Sequence, residues 1–75
     1  MISPLPRSHY ARRFAQALAM ERRKAGLTQE ALAEQAGVSV RYIQRIESGG
    51  RLPDLPIADA LRKALRLDWD DLLPK

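Results

Sequence analysis

Seventy-five residues with no cysteine and no recognisable metal-ligand cluster make one small domain that helix packing or self-association must hold, since no disulfide or zinc site is there to staple it. A hydrophobic fraction of 45% beside 29% charged residues is that of a soluble globular chain, and no apolar run approaches the roughly 20 residues that span a bilayer. The net charge of +4 is unevenly placed, with +5 over residues 1–51 and −1 over residues 52–75, as in a phosphate-facing front backed by a packing surface, or in a merely solvated basic face.

The N-terminal stretch MISPLPRSHYARR lacks the apolar segment of a signal peptide, and a cytoplasmic location is expected. Residues 1–7 read as a flexible arm. Helix 1 is expected over residues 8–25, with Ser8 as its cap, Ala11, Phe14, Ala15, Leu18 and Ala25 as its apolar stripe, and Gly26 as its stop. Leu27 should tuck into the core, and His9, the one histidine, falls on the surface in this register.

Residues 28–49, TQEALAEQAGVSVRYIQRIESG, carry the functional signal. Thr28 can cap a second helix, with Gln29 and Glu30 in the first turn, where negative charge suits the helix dipole. Leu32, Ala33 and Ala36 share one face, and Gly37 supplies the positive φ that ends the helix. Ser39 can cap a third, in which Ile43 and Ile46, with Val38 just ahead, turn inward while Val40, Arg41, Gln44 and Arg45 turn outward. Only Gly37 separates the last inward residue of one helix from the first of the next, so the two must cross steeply. Small Ala33 lets them pass closely, and the second stands proud of the body: a helix-turn-helix.

Ser48, Gly49, Gly50 and Arg51 then form a loop by composition. Asp54 caps helix 4, Leu55 and Pro56 take its first positions, and Ile57, Ala58, Leu61, Ala64 and Leu65 repeat at helical spacing. Asp68 caps a last short helix over residues 69–73, with Asp71 in the capping-box position, and Pro74 blocks its extension. The expected organisation is an arm over 1–7, a domain over 8–73 and a tail over 74–75. Its class is all-α, a compact bundle of about five short helices.

Gln29, Ala33, Gly37, Val38, Ile43, Ile46, Glu47 and Gly49, at these spacings, resemble the pattern of the Cro and repressor type of helix-turn-helix, the XRE family. The resemblance spans residues 18–73. It implies a lambda-repressor-like domain and a transcription regulator that binds double-stranded DNA. It further implies a partly buried ion pair between Arg22 and Glu47, base contacts at positions 40, 41, 44 and 45, and dimerisation through the C-terminal region. Arg62 departs from the pattern, standing where the family more often has a small apolar residue.

The side-chain chemistry fits that reading. Arginine can bind guanine O6 and N7 with its fork and glutamine can bind adenine N6 and N7, so Arg41, Gln44 and Arg45 are the candidates for base readout, with Val40 available to a thymine methyl. Candidate phosphate contacts are Gln29 and Ser39 at helix N-termini, and Ser48 and Arg51 in the loop. Tyr42 either reaches a phosphate through its hydroxyl or packs against helix 4. Trp69, Leu72 and Leu73 either fold back onto helices 1 and 4 or form a two-fold dimer interface, which would set two recognition helices about 34 Å apart on a palindromic site. With no converging catalytic groups the chain is not expected to be an enzyme, nor to use a metal, a cofactor or a small-molecule effector. Small stand-alone proteins of this type include phage repressors, restriction-modification controllers and antitoxins, and a 75-residue chain fits each of them. The alternative is an antitoxin or adaptor whose main role is to bind another protein around Trp69.

Overall fold

Residues 4–73 are described by the computed structural model, in which four helices follow one another: α1 (Arg7–Lys24), α2 (Gln29–Ala36), α3 (Val40–Glu47) and α4 (Leu55–Leu65). A 3-10 turn, Trp69–Asp71, closes the chain. The class is all-α, as the periodicity indicates, and among the described residues no helix is long and apolar enough to cross a membrane. The tail at 74–75 and the first residues of the arm lie outside the described residues.

Three of the starts are set by side-chain caps. Thr28 Oγ1 accepts from the Ala31 N–H at 3.0 Å, Ser39 Oγ from Tyr42 N–H at 3.1 Å, and Asp54 Oδ1 from Ile57 N–H at 3.1 Å. Helix α1 differs. It begins at Arg7 directly after Pro6, and Ser8 makes no capping bond. The proline ring holds φ at −59°, and the Pro6 carbonyl accepts from the His9 N–H at 3.0 Å, so the helix starts two residues earlier than a serine cap would place it. The far end is also shorter than expected: Ala25 is the exposed C-cap residue, and Ala19 joins the buried stripe instead.

All four helices stop in one way, with a left-handed residue at Gly26, Gly37, Gly49 or Arg66. The N–H that follows then returns to a carbonyl inside the helix, as Leu27 to Arg22 at 3.1 Å, Val38 to Ala33 at 3.0 Å and Leu67 to Arg62 at 3.0 Å. At Gly37 this matters to the whole molecule. Its φ of +74° ends α2 and begins the three-residue turn, 37–39, that leads into α3, a conformation that side chains with a Cβ rarely adopt.

Leu18, Leu32, Ile43, Ile46, Leu61 and Leu72 are fully buried and form the centre of one core. Helix α3 packs against both α1 and α2, and α2 against α4. Leu72 therefore cannot be part of a dimer surface. It is 1% exposed, because the closing turn ends at Asp71 rather than at 73 and the chain swings Leu72 inward. Trp69 is half-buried against the same core and Leu73 is exposed. Arg62, the departure from the family pattern, ties α4 to this turn. Its Nη2 donates to Asp59 Oδ1 at 2.7 Å, its Nη1 donates to the Leu67 carbonyl at 3.1 Å, and its Cζ lies 5.0 Å from the Trp69 ring centroid.

The ion pair between Arg22 and Glu47 is present and bidentate. Arg22 Nε donates to Glu47 Oε2 at 2.7 Å and Nη2 to Oε1 at 3.0 Å, while Nη1 donates to the Leu27 carbonyl at 2.8 Å. The Gln29 carboxamide donates to Glu47 Oε1 at 3.0 Å. The two charged side chains are only 12% and 7% exposed, and the hydrogen bond that Arg22 donates to Glu47 raises the Arg22 pKa against the opposing effect of burial.

Glu47→Ala leaves a charged, partly dry Arg22 without its partner and should lower the unfolding free energy by about 3 kcal/mol in a urea titration. The double replacement Arg22→Met with Glu47→Leu should recover most of that loss, because no buried charge is then stranded. A second expectation concerns acid. Hydrogen bonds from Arg62 and Lys63 hold the Asp59 carboxyl below its ordinary 3.8, so the stability it lends is complete above that value and is lost as pH falls through the lower folded value. Asp59→Asn should flatten the acid limb of a plot of Tm against pH below about pH 4.

Candidate nucleic-acid interface

Helix α3 is divided cleanly between two environments. Ile43 and Ile46 are wholly buried, whereas Arg41, Gln44 and Arg45 are exposed and, at i, i+3 and i+4, share one outer face. Val40 does not turn fully outward: it is half-buried and packs on the rim of the core, so only part of its surface is open to a partner. Among the described residues Arg41, Arg45 and Arg51 form no ion pair with a carboxylate. The one acid on α3, Glu47, is engaged by Arg22 and Gln29. The outer face is therefore cationic and uncompensated.

The flanks show which polar groups are free to meet an anion. The Ser39 oxygen accepts the Tyr42 N–H, which leaves the hydroxyl proton available and keeps it at the positive end of α3. The Gln29 carboxamide is turned towards Glu47, so one N–H of that group is already used in the brace. Ser48 is a correction to its reading as a phosphate donor. Its hydroxyl donates to the Arg45 carbonyl at 2.9 Å and its oxygen accepts from Gly50 N–H at 3.4 Å, so it shapes the loop and has no proton left for a phosphate. Tyr42 packs its ring against the core, and the Arg51 Cζ lies 5.7 Å from the centroid of that ring. Ser39, Arg41, Tyr42, Arg45 and Arg51 line one shallow cleft of about 270 Å³.

Two contacts have no sequence precursor. The Arg51 and Tyr42 stack joins residues on either side of an irregular loop, where no periodicity relates one position to the other. The Arg62 and Trp69 stack joins a helix to a turn of different pitch.

Residues 18–72 match the family described as Helix-turn-helix. YazB of Bacillus subtilis (strain 168), described as an uncharacterized HTH-type transcriptional regulator, is 38% identical over 53 residues, which are 71% of this chain and 77% of that protein. Among solved structures, the restriction-modification controller protein C.AhdI from Aeromonas hydrophila has a TM-score of 0.80 at 32% identity, over 84% of this chain and 96% of that one. A hypothetical transcription factor, NHTF, from Neisseria has a TM-score of 0.81 at 25% identity, over 99% of this chain and 87% of that one. An HTH_3 family transcriptional regulator from Vibrio cholerae shares the fold, with a TM-score of 0.82 at 23% identity over 87% of this chain and 36% of its own. With the capped helix pair and its cationic outer face inside the matched region, the chain belongs to the Cro and repressor, or XRE, family of helix-turn-helix DNA-binding domains.

Proposed function

We propose that this helix-turn-helix transcriptional regulator binds a palindromic operator as a homodimer, with Arg41, Gln44 and Arg45 reading base edges in the major groove. The observation that carries this reading is the outer face of α3, two exposed arginines and a glutamine with no carboxylate to neutralise them. An arginine fork without an internal partner is free to make the bidentate contact to guanine, and Gln44 is free for adenine. Ser39, Arg51 and the remaining N–H of Gln29 supply phosphate contacts, which fix register without reading sequence.

Self-association is supported by a second surface. A groove of about 360 Å³ runs between α1 and the closing turn, with Arg13 and Met20 on one side and Asp70, Asp71 and Leu73 on the other. Met20 and Leu73 are 51% and 46% exposed. A two-fold axis through this groove would let Arg13 of each copy face Asp70 and Asp71 of the other, a reciprocal pairing of the kind an isologous interface makes. The likeness to a restriction-modification controller over most of both chains favours a controller of that kind. The same groove would serve an antitoxin or adaptor that binds a different protein, and a stable monomer in light scattering would favour that reading.

On the duplex that the protein selects from a random pool, Arg41→Ala or Arg45→Ala should each cost about 1 to 3 kcal/mol, and much less on random DNA. Equal losses on both, read by fluorescence anisotropy, would contradict base contact. Leu73→Glu should shift the protein to a monomer in sedimentation and weaken operator binding while leaving the helical circular dichroism signal intact, because Leu73 lies outside the core. A dimer that survives Leu73→Glu would place the interface elsewhere.

A further inference from the structure

The loop after α3 delivers Arg51 to one place. Ser48 and the Gly50 N–H both bond back to the Arg45 carbonyl, at 2.9 Å and 3.1 Å, Gly49 is left-handed, and Pro53 is buried just beyond. The backbone at Arg51 is thus fixed beside α3, and only its long side chain is free to wander. That side chain lies over the Tyr42 ring, with Cζ 5.7 Å from the centroid, a distance at which the ring face attracts the cation. The ring in turn is held because Tyr42 packs on the core.

We infer that Tyr42 is a positioning residue whose ring holds the Arg51 guanidinium at the mouth of the cleft beside α3, where Arg51 takes a DNA phosphate. This rests on the DNA-binding reading above and assigns Tyr42 a role distinct from a hydroxyl contact. The choice of an aromatic holder has a physical reason. A carboxylate in its place would fix Arg51 equally well but would neutralise the charge that a phosphate must meet, as Glu47 does for Arg22. A ring restricts the guanidinium and leaves its full charge and its donors exposed. The lining of the cleft, Ser39, Arg41, Tyr42, Arg45 and Arg51, contains no acid. An arginine already held there loses less rotamer freedom when it binds.

The test is a double-mutant cycle on the selected duplex, read by anisotropy over a series of salt concentrations, with unfolding followed by circular dichroism. Tyr42→Phe should bind like the unaltered protein, and Tyr42→Leu should weaken binding about two- to fivefold. Arg51→Ala should lower the slope of log K against log salt by about 0.9, the value of one phosphate contact. Tyr42→Leu should then have no further effect once Arg51 is alanine. A loss with Tyr42→Phe equal to that with Tyr42→Leu, or a loss with Tyr42→Leu that is the same with and without Arg51, would overturn the inference. Because Tyr42→Leu alters a half-buried position, the free unaltered protein supplies a second reading. The Arg51 side-chain protons should be displaced upfield by the ring, equally so in Tyr42→Phe, and their absence of displacement would also overturn it. Failure of the unaltered protein to bind duplex DNA at all would remove the DNA-binding reading and this inference together, whereas binding without coupling would remove this inference alone.

Discussion

Where the cationic face of α3 points is decided by the bond between Arg22, near the end of α1, and Glu47, at the end of α3. An eight-residue helix has little stability of its own in water, so its place comes from what it is packed against. Ile43 and Ile46 supply most of the favourable free energy, about 1.5 to 3 kcal/mol each on burial. Greasy contact alone leaves a short helix some freedom to roll about its axis. A bidentate fork with bonds of 2.7 and 3.0 Å removes that freedom, and the same arginine reaches the Leu27 carbonyl in the segment that leads into α2. Net stabilisation from such a pair is modest, while breaking it is costly. Its contribution is direction.

The pair also sets the electrostatics of the interface. Glu47 is the one acid on α3, and with its oxygens taken by Arg22 and Gln29 it does not neutralise Arg41, Arg45 or Arg51. The same device recurs at the other end of the molecule, where Arg62 is bound by Asp59 and donates to the carbonyl of Leu67, five residues on, as Arg22 does to Leu27. In both places the leucine N–H returns to the arginine carbonyl. A cation near a helix C-terminus is favourable on its own account, and here it also fastens the next segment. The second instance carries a conformational cost, because the left-handed residue that ends α4 is Arg66, with φ of +56°, and not a glycine.

Local rules made much of this legible. Thr28, Ser39 and Asp54 were readable as caps because a cap needs only a short polar side chain three residues before a free N–H, and Gly37 was readable as a stop for equally local reasons. Ser8 does not act as the cap its residue type suggests, because a proline two residues earlier governs the start of α1 more strongly than a serine can. Leu72 was misread because a turn of three residues per revolution directs its neighbours differently from an α-helix of 3.6, and over so short a segment the sequence does not say which is formed. Arg22 and Glu47 lie 25 residues apart, so no periodicity joins them, and only the family resemblance brought them together. The stack of Arg51 on Tyr42 lacked even that. The outward set Arg41, Gln44 and Arg45 stands where helical spacing placed it, while Val40 is drawn towards the core by its own apolar surface.

Selection from a pool of randomised duplexes at moderate salt, followed by sequencing of the retained DNA, tests most directly whether this face reads bases. Enrichment of a palindrome with half-sites about one helical turn apart, rich in the guanine and adenine that arginine and glutamine contact, is the expected result. Retention without any enriched sequence, falling away as salt is raised, would leave only the phosphate contribution and would contradict base readout by α3.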